Sequence, residues 1–323
     1  MGTDAKNIKL SVIVPFFNAE KDLKRCVESL MHQMDEGMEL ILVNDASTDS
    51  GSAVLRNVLH ELGNPQNVHL IENEINRGSA YSRQVGLNHA QGEFFIFCDA
   101  DDWIEEGMYR TLLACADERK ADVVCSPFYY DFENSSKLVG FTTPTFPNLN
   151  DAPLDTVHFS LCNKIIRRSV VTEHHLQFFP DVNCWEDLGL VSRVLMYTNR
   201  VEIIDKPFYH YVKIGNNSLS SASMKRVLDD HLKLVPLMEN WIAAEHPQFA
   251  VDYAGFLKFL KFTAKIKLLR GKDRDIRRWK ATFPETNEGI LRYRNVPWHY
   301  RILFFMVNIL PVGLVDFIFK KIL

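Results

Sequence analysis

The chain has 323 residues, 46% of them apolar and 24% charged, with six cysteines and a formal net charge of −4. That composition fits one large globular domain or two smaller ones, and the acidic balance excludes a general nucleic-acid binder. No basic stretch followed by an apolar one opens the chain, so no signal peptide is expected, and scattered cysteines without a Cys-x-x-Cys pair predict free, buried thiols in a reducing compartment.

In chain order, LSVIVPFFN (10–18) predicts a strand that runs into a loop after Pro15. AEKDLKRCVESLMHQM (19–34) places Leu23, Cys26, Val27, Leu30 and Met31 at helical spacing. MELILVNDASTDS (38–50) predicts a second buried strand ending in a polar cluster, GSAVLRNVLHEL (51–62) a helix and VHLIEN (68–73) a third strand. SAYSRQVGLNHA (79–90) predicts a third helix and FFIFCDADDW (94–103) a buried strand that ends in three carboxylates. A helix over about 104–119 and a strand at ADVVCSP (121–127) follow. The segment 131–160, rich in Pro, Asn and Thr, reads as a long loop or hairpin that could act as a lid. NKIIRRSVVTEHHLQF (163–178) predicts a short strand and helix, and WEDLGLVSRVLMYT (185–198) another helix.

Residues 226–280 read as helical and increasingly basic. Residues 251–323 hold 15 Lys and Arg against 6 Asp and Glu, a local charge of +9 against −13 for the first 250. The chain ends in ILFFMVNILPVGLVDFIFKKIL (302–323), broken by Asn308, Pro311 and Asp316. A central Asp costs roughly 2.5 to 3.5 kcal/mol in a bilayer, which argues for a pair of interfacial helices over a span. A basic, apolar-ended tail on an acidic body points to a membrane surface.

Strand–helix alternation with short connections predicts a mostly parallel α/β sheet with helices on both faces, whose ligands bind beyond the carboxyl ends of the strands. Pro15–Asn18, Asn44–Asp49, Asn73–Arg77 and Asp99–Asp102 all follow strands and should meet at one edge. Asp99, Asp101 and Asp102 read either as a solvated strand end, with Asp102 capping the next helix, or as oxygen ligands for Mg²⁺ or Mn²⁺. Asp45 reads as a turn or cap before the helix near 51, or as an acceptor for a uracil imide or a ribose hydroxyl. Arg77 and Arg83 would balance phosphate charge, pair with Asp45 or lie as surface cations. Glu186 and Asp187, adjacent at a helix start, either serve an acceptor hydroxyl or simply suit the positive end of the helix dipole. Trp185 would stack on a sugar or pack in the core. His210 and Lys213 would contact metal or phosphate, or be structural.

Five segments in order resemble family-2 inverting glycosyltransferases of the GT-A fold. SVIVPFFN, VNDASTD, NRGSAYSRQVGL and GEFFIFCDADDW stand where that family has SVIVPxYN, VDDGSTD, NxGxxxARNxGL and GEYxxFxDxDD. NKIIRRSVVTEHHLQFFPDVNCWEDLGL matches its acceptor-side pattern NKxxRR…F…EDL. The sequence departs at Phe17 for Tyr, Asn44 for Asp, Ala46 for Gly and Gln84 for Asn. The resemblance implies a nucleotide-sugar site formed by Pro15, Phe17, Asn18, Asp45, Arg77, Arg83 and Asp99. It implies a DxD metal site at Asp99, Asp101 and Asp102, with Asp187 as general base beside Glu186. It fades beyond about residue 225, so a GT-A domain over 1–225 is expected, with a nucleotide-sugar half (1–130) and an acceptor half (131–225), and a separate helical region over 226–323.

The implied reaction is metal-dependent, inverting transfer of a hexosyl or N-acetylhexosaminyl group to a hydroxyl, in cell-surface polysaccharide or glycolipid synthesis. The donor would be a nucleotide sugar, with UDP favoured by Asp45, and the acceptor a saccharide or a lipid-linked one. Mn²⁺ or Mg²⁺ would serve as cofactor, and the enzyme would sit in the cytoplasm, peripheral on the inner membrane face. A sugar nucleotidyltransferase would want a Gly-rich, basic loop after the first strand, and PFFNAEKD has no glycine. A degenerate nucleotide-sugar-binding protein would not need both the Asp cluster and Asp187. An NAD-dependent oxidoreductase would need G-x-G-x-x-G there.

Overall fold

The computed structural model describes residues 8–140, 159–213, 224–247, 250–269, 274–292 and 298–322. They divide into two compact units, one of residues up to 213 and one of residues from 224 onward.

The first unit is built on a seven-stranded sheet. Its opening run alternates strand and helix: β1 (Leu10–Phe16), α1 (Leu23–Met31), β2 (Met38–Asn44), α2 (Gly51–Glu61), β3 (Val68–Glu72), α3 (Ser79–His89) and β4 (Phe94–Phe97). β1 pairs in parallel with β2 and β4, and β2 with β3. Every residue of β2 and β4 is buried, as their unbroken apolar runs require. Pro15 sits inside β1 without breaking it, because β4 leaves β1 at Ile13↔Phe97 and no ladder partner awaits the missing N–H on that side. A Cβ at Gly86 would lie 2.3 Å from Ile13 Cγ2, so only glycine lets α3 lie this close on β1.

After α4 (Met108–Arg119) come β6 (Val123–Cys125), β9 (Lys164–Arg167), α5 (Arg168–Glu173), α6 (Glu186–Tyr197) and β10 (Val201–Ile203). β9 inserts antiparallel between β4 and β6, giving the order β10-β6-β9-β4-β1-β2-β3. The sheet is therefore mostly parallel with one reversed strand.

A second, four-stranded sheet was not foreseen. It joins β5 (Trp103–Ile104), β11 (Tyr209–Val212), β7 (Phe128–Phe132) and β8 (Ser135–Val139) in that order. β5 replaces the first turn expected of the helix at 104, and Gly107, at φ +88°, starts α4 only at Met108. Of the loop or hairpin expected over 131–160, the hairpin β7–β8 covers the start, and 141–158, with the lid expected of the segment, lie outside the described residues. All six cysteines are free; Cys26, Cys98, Cys125 and Cys162 are buried, whereas Cys115 and Cys184 are partly exposed.

The second unit is helical: α7 (Met224–Glu245), α8 (Ala250–Ile266), α9 (Ile276–Ala281), α10 (Trp298–Ile309) and α11 (Val312–Ile322). Its core gathers Leu228, Phe259, Phe262, Trp279, Ile290, Phe304, Val307 and Val315. The apolar chain end is the expected helix pair, α10 and α11, split at Pro311. Among the described residues no helix is long and apolar enough to cross a membrane.

Candidate active site

The loops beyond β1, β2, β3 and β4 are tied together, as their shared edge predicts. Asn18, at φ +50°, accepts Thr48 N–H at 2.8 Å and Asp49 N–H at 3.3 Å through Oδ1, while Ser47 Oγ accepts Asn18 N–H at 3.1 Å. Phe17 projects beside it, 46% exposed, after the paired Pro15 and buried Phe16. Asn44 Nδ2 donates to Ser52 Oγ at 2.8 Å and its Oδ1 accepts Ser47 N–H at 2.9 Å, a two-way bridge between the strand end and the loop that enters α2.

Asp45 is buried and turns away from the helix at 51. Its carboxylate accepts Asn73 Nδ2 at 2.9 Å and the backbone N–H groups of Arg77 at 3.1 Å and Gly78 at 2.7 Å. It therefore holds the loop that enters α3. Arg77 meets Asp45 through its backbone only, and its guanidinium lies 3.9 Å over the Tyr81 ring. Gly78 has φ +89°, and a Cβ there would meet Asn183 Oδ1 at 2.3 Å. Asn183 in turn accepts Ala80 N–H at 3.1 Å at the start of α3, so it fastens the segment before α6 to that helix.

Arg83 is the hinge of the site. It is buried, reaches Asp99 Oδ1 at 2.6 Å and forms a second ion pair with Glu186. The guanidinium fork thus serves two carboxylates from different elements, where the sequence left phosphate, Asp45 or solvent as its partner. Glu186 also accepts from Ser79 Oγ at 3.4 Å. Burial pushes the Glu186 carboxyl up to about 8; Arg83 acts against that shift and Asp187 adds to it. Asp187, one residue into α6, accepts Leu188 N–H at 2.7 Å through Oδ1, and burial raises it too. Trp185, at φ 72°, precedes the helix.

The three aspartates after β4 have different environments. Asp102 is 1% exposed, with Tyr209 Oη donating to Oδ2 at 2.5 Å and Val212 N–H to Oδ1 at 2.8 Å. Its carboxylate faces β11, and burial, reinforced by Asp99 and Asp101, pushes it up. Asp101 is pushed up to about 6 by burial and by Asp99. Arg25 of α1 donates to the Asp101 carbonyl at 2.6 Å. Tyr211 is raised by burial and by the same three aspartates, which places its phenol in their field. Both ring nitrogens of His210 have carboxylate partners, Asp131 at 2.8 Å and Glu105 at 3.3 Å, and the ring stacks on Trp103 at 3.7 Å. Lys213 Nζ lies 3.7 Å over Tyr130.

Among the described residues no three His, Cys, Asp or Glu side chains form a ready-made metal cage. With Asp102 bonded inward, Asp99 and Asp101 are the carboxylates left to meet a ligand. Asp99 keeps one oxygen beyond its Arg83 pair, and beside it Asp101 is raised first by burial and then by Asp99; two such carboxylates are the oxygen ligands a hard divalent ion takes. Tyr209, Tyr211 and Asn183 went unnoticed in the sequence. The only signals were the aromatic alternation of YHYV and the glycine at 78 that makes room for Asn183.

A mostly parallel sheet whose strand ends carry a carboxylate cluster, facing a second acidic pair at a helix start, defines the GT-A nucleotide-sugar fold. The family described as "Glycosyl transferase family 2" matches residues 11–174, and the chain belongs to it. It is 28% identical over 215 residues to a Staphylococcus epidermidis teichoic acid poly(glycerol phosphate) polymerase, covering 62% of this chain and 28% of that protein. It is 37% identical over 224 residues to the uncharacterized glycosyltransferase YibD of Escherichia coli, covering 66% of this chain and 63% of that one. The chain therefore spans less than two thirds of either relative. The fold is similar to S. aureus TarS 1-349 in complex with UDP-GlcNAc, with TM-score 0.63 and 19% identity over 93% of this chain and 87% of that one.

Proposed function

We infer that the protein transfers a hexosyl or N-acetylhexosaminyl group from a UDP-sugar to a hydroxyl of a saccharide or lipid-linked acceptor, with inversion, in cell-surface polysaccharide or glycolipid synthesis. The observation that carries this reading is Arg83, which joins the Asp99 end of the donor side to the Glu186–Asp187 pair. The relatives' printed names, a teichoic acid polymerase and a TarS bound to UDP-GlcNAc, support the class of product and donor.

In this reading residues 1–130 hold the donor and 131–225 the acceptor. Phe17 stacks on the base, between the loops that Asn18 and Asp45 shape. The Arg77 N–H is shared between the two Asp45 oxygens, at 3.1 and 3.2 Å, and the N3–H of uracil takes the place of the longer of these contacts on Oδ2. Asp99 and Asp101 hold Mn²⁺ or Mg²⁺, with Asp102 bracing them from behind. When bound, the ion supplies Lewis-acid neutralisation of the leaving diphosphate. Arg77 lies at the exposed phosphate side.

Asp187 takes the proton of the acceptor hydroxyl as its oxygen attacks C1. The new C1–O bond forms while the bond from C1 to the phosphate oxygen breaks, and its electron pair leaves with the nucleoside diphosphate. One displacement from the opposite face inverts the anomeric centre. Glu186, held by Arg83, fixes the helix that carries Asp187. The enzyme works in the cytoplasm, peripheral on the inner membrane face through its C-terminal segment.

The test is thermal shift with UDP-, GDP-, CDP- and dTDP-sugars in Mn²⁺, followed by transfer assays with and without EDTA. A UDP-sugar should raise the melting temperature most, and EDTA should abolish both the shift and transfer. A response to GDP-sugars alone, or full turnover without metal, overturns the donor or metal assignment respectively.

A further inference from the structure

The second unit carries a surface that its own core does not use. On α10, Trp298, Ile302, Phe305 and Ile309 recur at intervals of four, three and four, one face of a helix. They are 67%, 44%, 38% and 57% exposed. The opposite face, through Phe304 and Val307, is packed into the core. On α11, which packs against α10, Leu314 and Phe317 are likewise exposed while Val315 is buried. α10 is thus apolar on both sides, one packed into the core and the other exposed.

Side-chain hydrogen bonds from Lys280 and Arg301 tie α10 to its neighbours. Lys280 of α9 donates to the Leu310 carbonyl between the two helices at 2.7 Å, and Arg301 donates to the Leu291 carbonyl at 3.0 Å. α9 packs against α11 and displays Arg277 and Arg278 to solvent. The surrounding sequence, 251–323, carries +9.

We propose that this α10–α11 stripe is the membrane-docking face, lying in the headgroup region of an anionic bilayer with the cations of α9 on phosphate. The proposal rests on the peripheral-membrane reading above and adds the face, the anchoring residues and the lipid charge. Size and chemistry select this occupant. Twelve residues of α10 span about 18 Å, against about 30 Å for a hydrocarbon core, so the helix lies in the interface and does not cross. Trp298 at the start of α10 is an amphipathic ring of the kind that favours that zone. The positive charge repels a second copy of the same face and attracts anionic lipid.

Flotation of the full chain with vesicles of phosphatidylglycerol and phosphatidylcholine, against phosphatidylcholine alone, reads the proposal. The wild type should float with the anionic vesicles and at least ten-fold less with the neutral ones. A combined Trp298→Ser, Ile302→Ser, Ile309→Ser variant should lose flotation while keeping its melting temperature, since these side chains are exposed. Arg277→Gln with Arg278→Gln should weaken it in the same direction and remove part of its salt sensitivity. Transfer to a water-soluble acceptor should be unchanged in every variant, which separates this proposal from the glycosyltransfer reading. Wild-type protein that stays unbound, or a serine variant that floats normally, overturns it. So does a wild-type dimer, seen by light scattering, that the serine variant converts to monomer, because the stripe is then a protein interface.

Discussion

Arg83 donates to Glu186 across 103 positions of sequence, and the same guanidinium reaches Asp99 at 2.6 Å. One cation therefore fixes the start of α6 against the end of β4. Removing one partner of a buried ion pair leaves an uncompensated charge, at about 3–5 kcal/mol. Arg83→Gln should lose stability on that scale in urea denaturation. Arg83→Lys should recover only part of it, because a single ammonium cannot grip two carboxylates as a fork does. A wild-type midpoint for Arg83→Gln would show that the bridge contributes nothing to folding.

Ala46 stands where the VDDGSTD motif that the sequence resembles has glycine, and it adopts φ +57°. The left-handed region costs an L-residue about 1–2 kcal/mol, part of which glycine gives back through its freedom in the unfolded chain. Ala46→Gly should therefore raise stability by about 0.5–1 kcal/mol in the same assay. A lowered midpoint would mean that the Ala46 methyl makes contacts worth more than the strain.

The run from β1 to β4 was legible because unbroken apolar strands and helical periodicity are local signals, and because the site lies at the ends of those strands. The second sheet was not. β5 is two residues long, and β8 is exposed along nearly its whole length, so neither carries an apolar pattern. The insertion of β9 between β4 and β6 is a long-range pairing that no local pattern encodes. The same holds for roles within the site. Asp99, Asp101 and Asp102 look equivalent in sequence, yet Tyr209, 107 positions away, turns Asp102 inward. For the same reason the sequence leaves Arg83 between phosphate, Asp45 and solvent: its partner Glu186 is remote in sequence.

His231, on α7, is buried, and that burial, with Lys267 adding to it, holds its pKa down at about 3 instead of 6.5. The unfolded chain takes up a proton as pH falls through 6.5, whereas the folded chain does not until about 3. Stability from this group is thus lost on acidification, at up to about 1.4 kcal/mol per pH unit. Between pH 7 and pH 5 the wild type should lose more in melting temperature than His231→Gln. Parallel curves for the two proteins would remove His231 from the account.

The last prediction separates the two carboxylates of α6. Glu186 Oε1 takes both Arg83 and Ser79, so that oxygen is committed to an ion pair that holds the helix. Asp187 spends one oxygen on the Leu188 N–H, which leaves the other for an acceptor hydroxyl. Burial raises the Asp187 carboxyl, which makes it a stronger base than an exposed aspartate. Asp187→Asn preserves shape and hydrogen bonding but cannot take a proton. General-base assistance contributes about 10²- to 10⁴-fold, so sugar transfer should fall by that factor while metal-dependent UDP-sugar binding, read by thermal shift, survives. Glu186→Gln should lower stability more than it lowers the rate per folded molecule. If the rate loss instead follows Glu186→Gln and Asp187→Asn turns over normally, the base is Glu186, and Arg83 is then the group that tunes it.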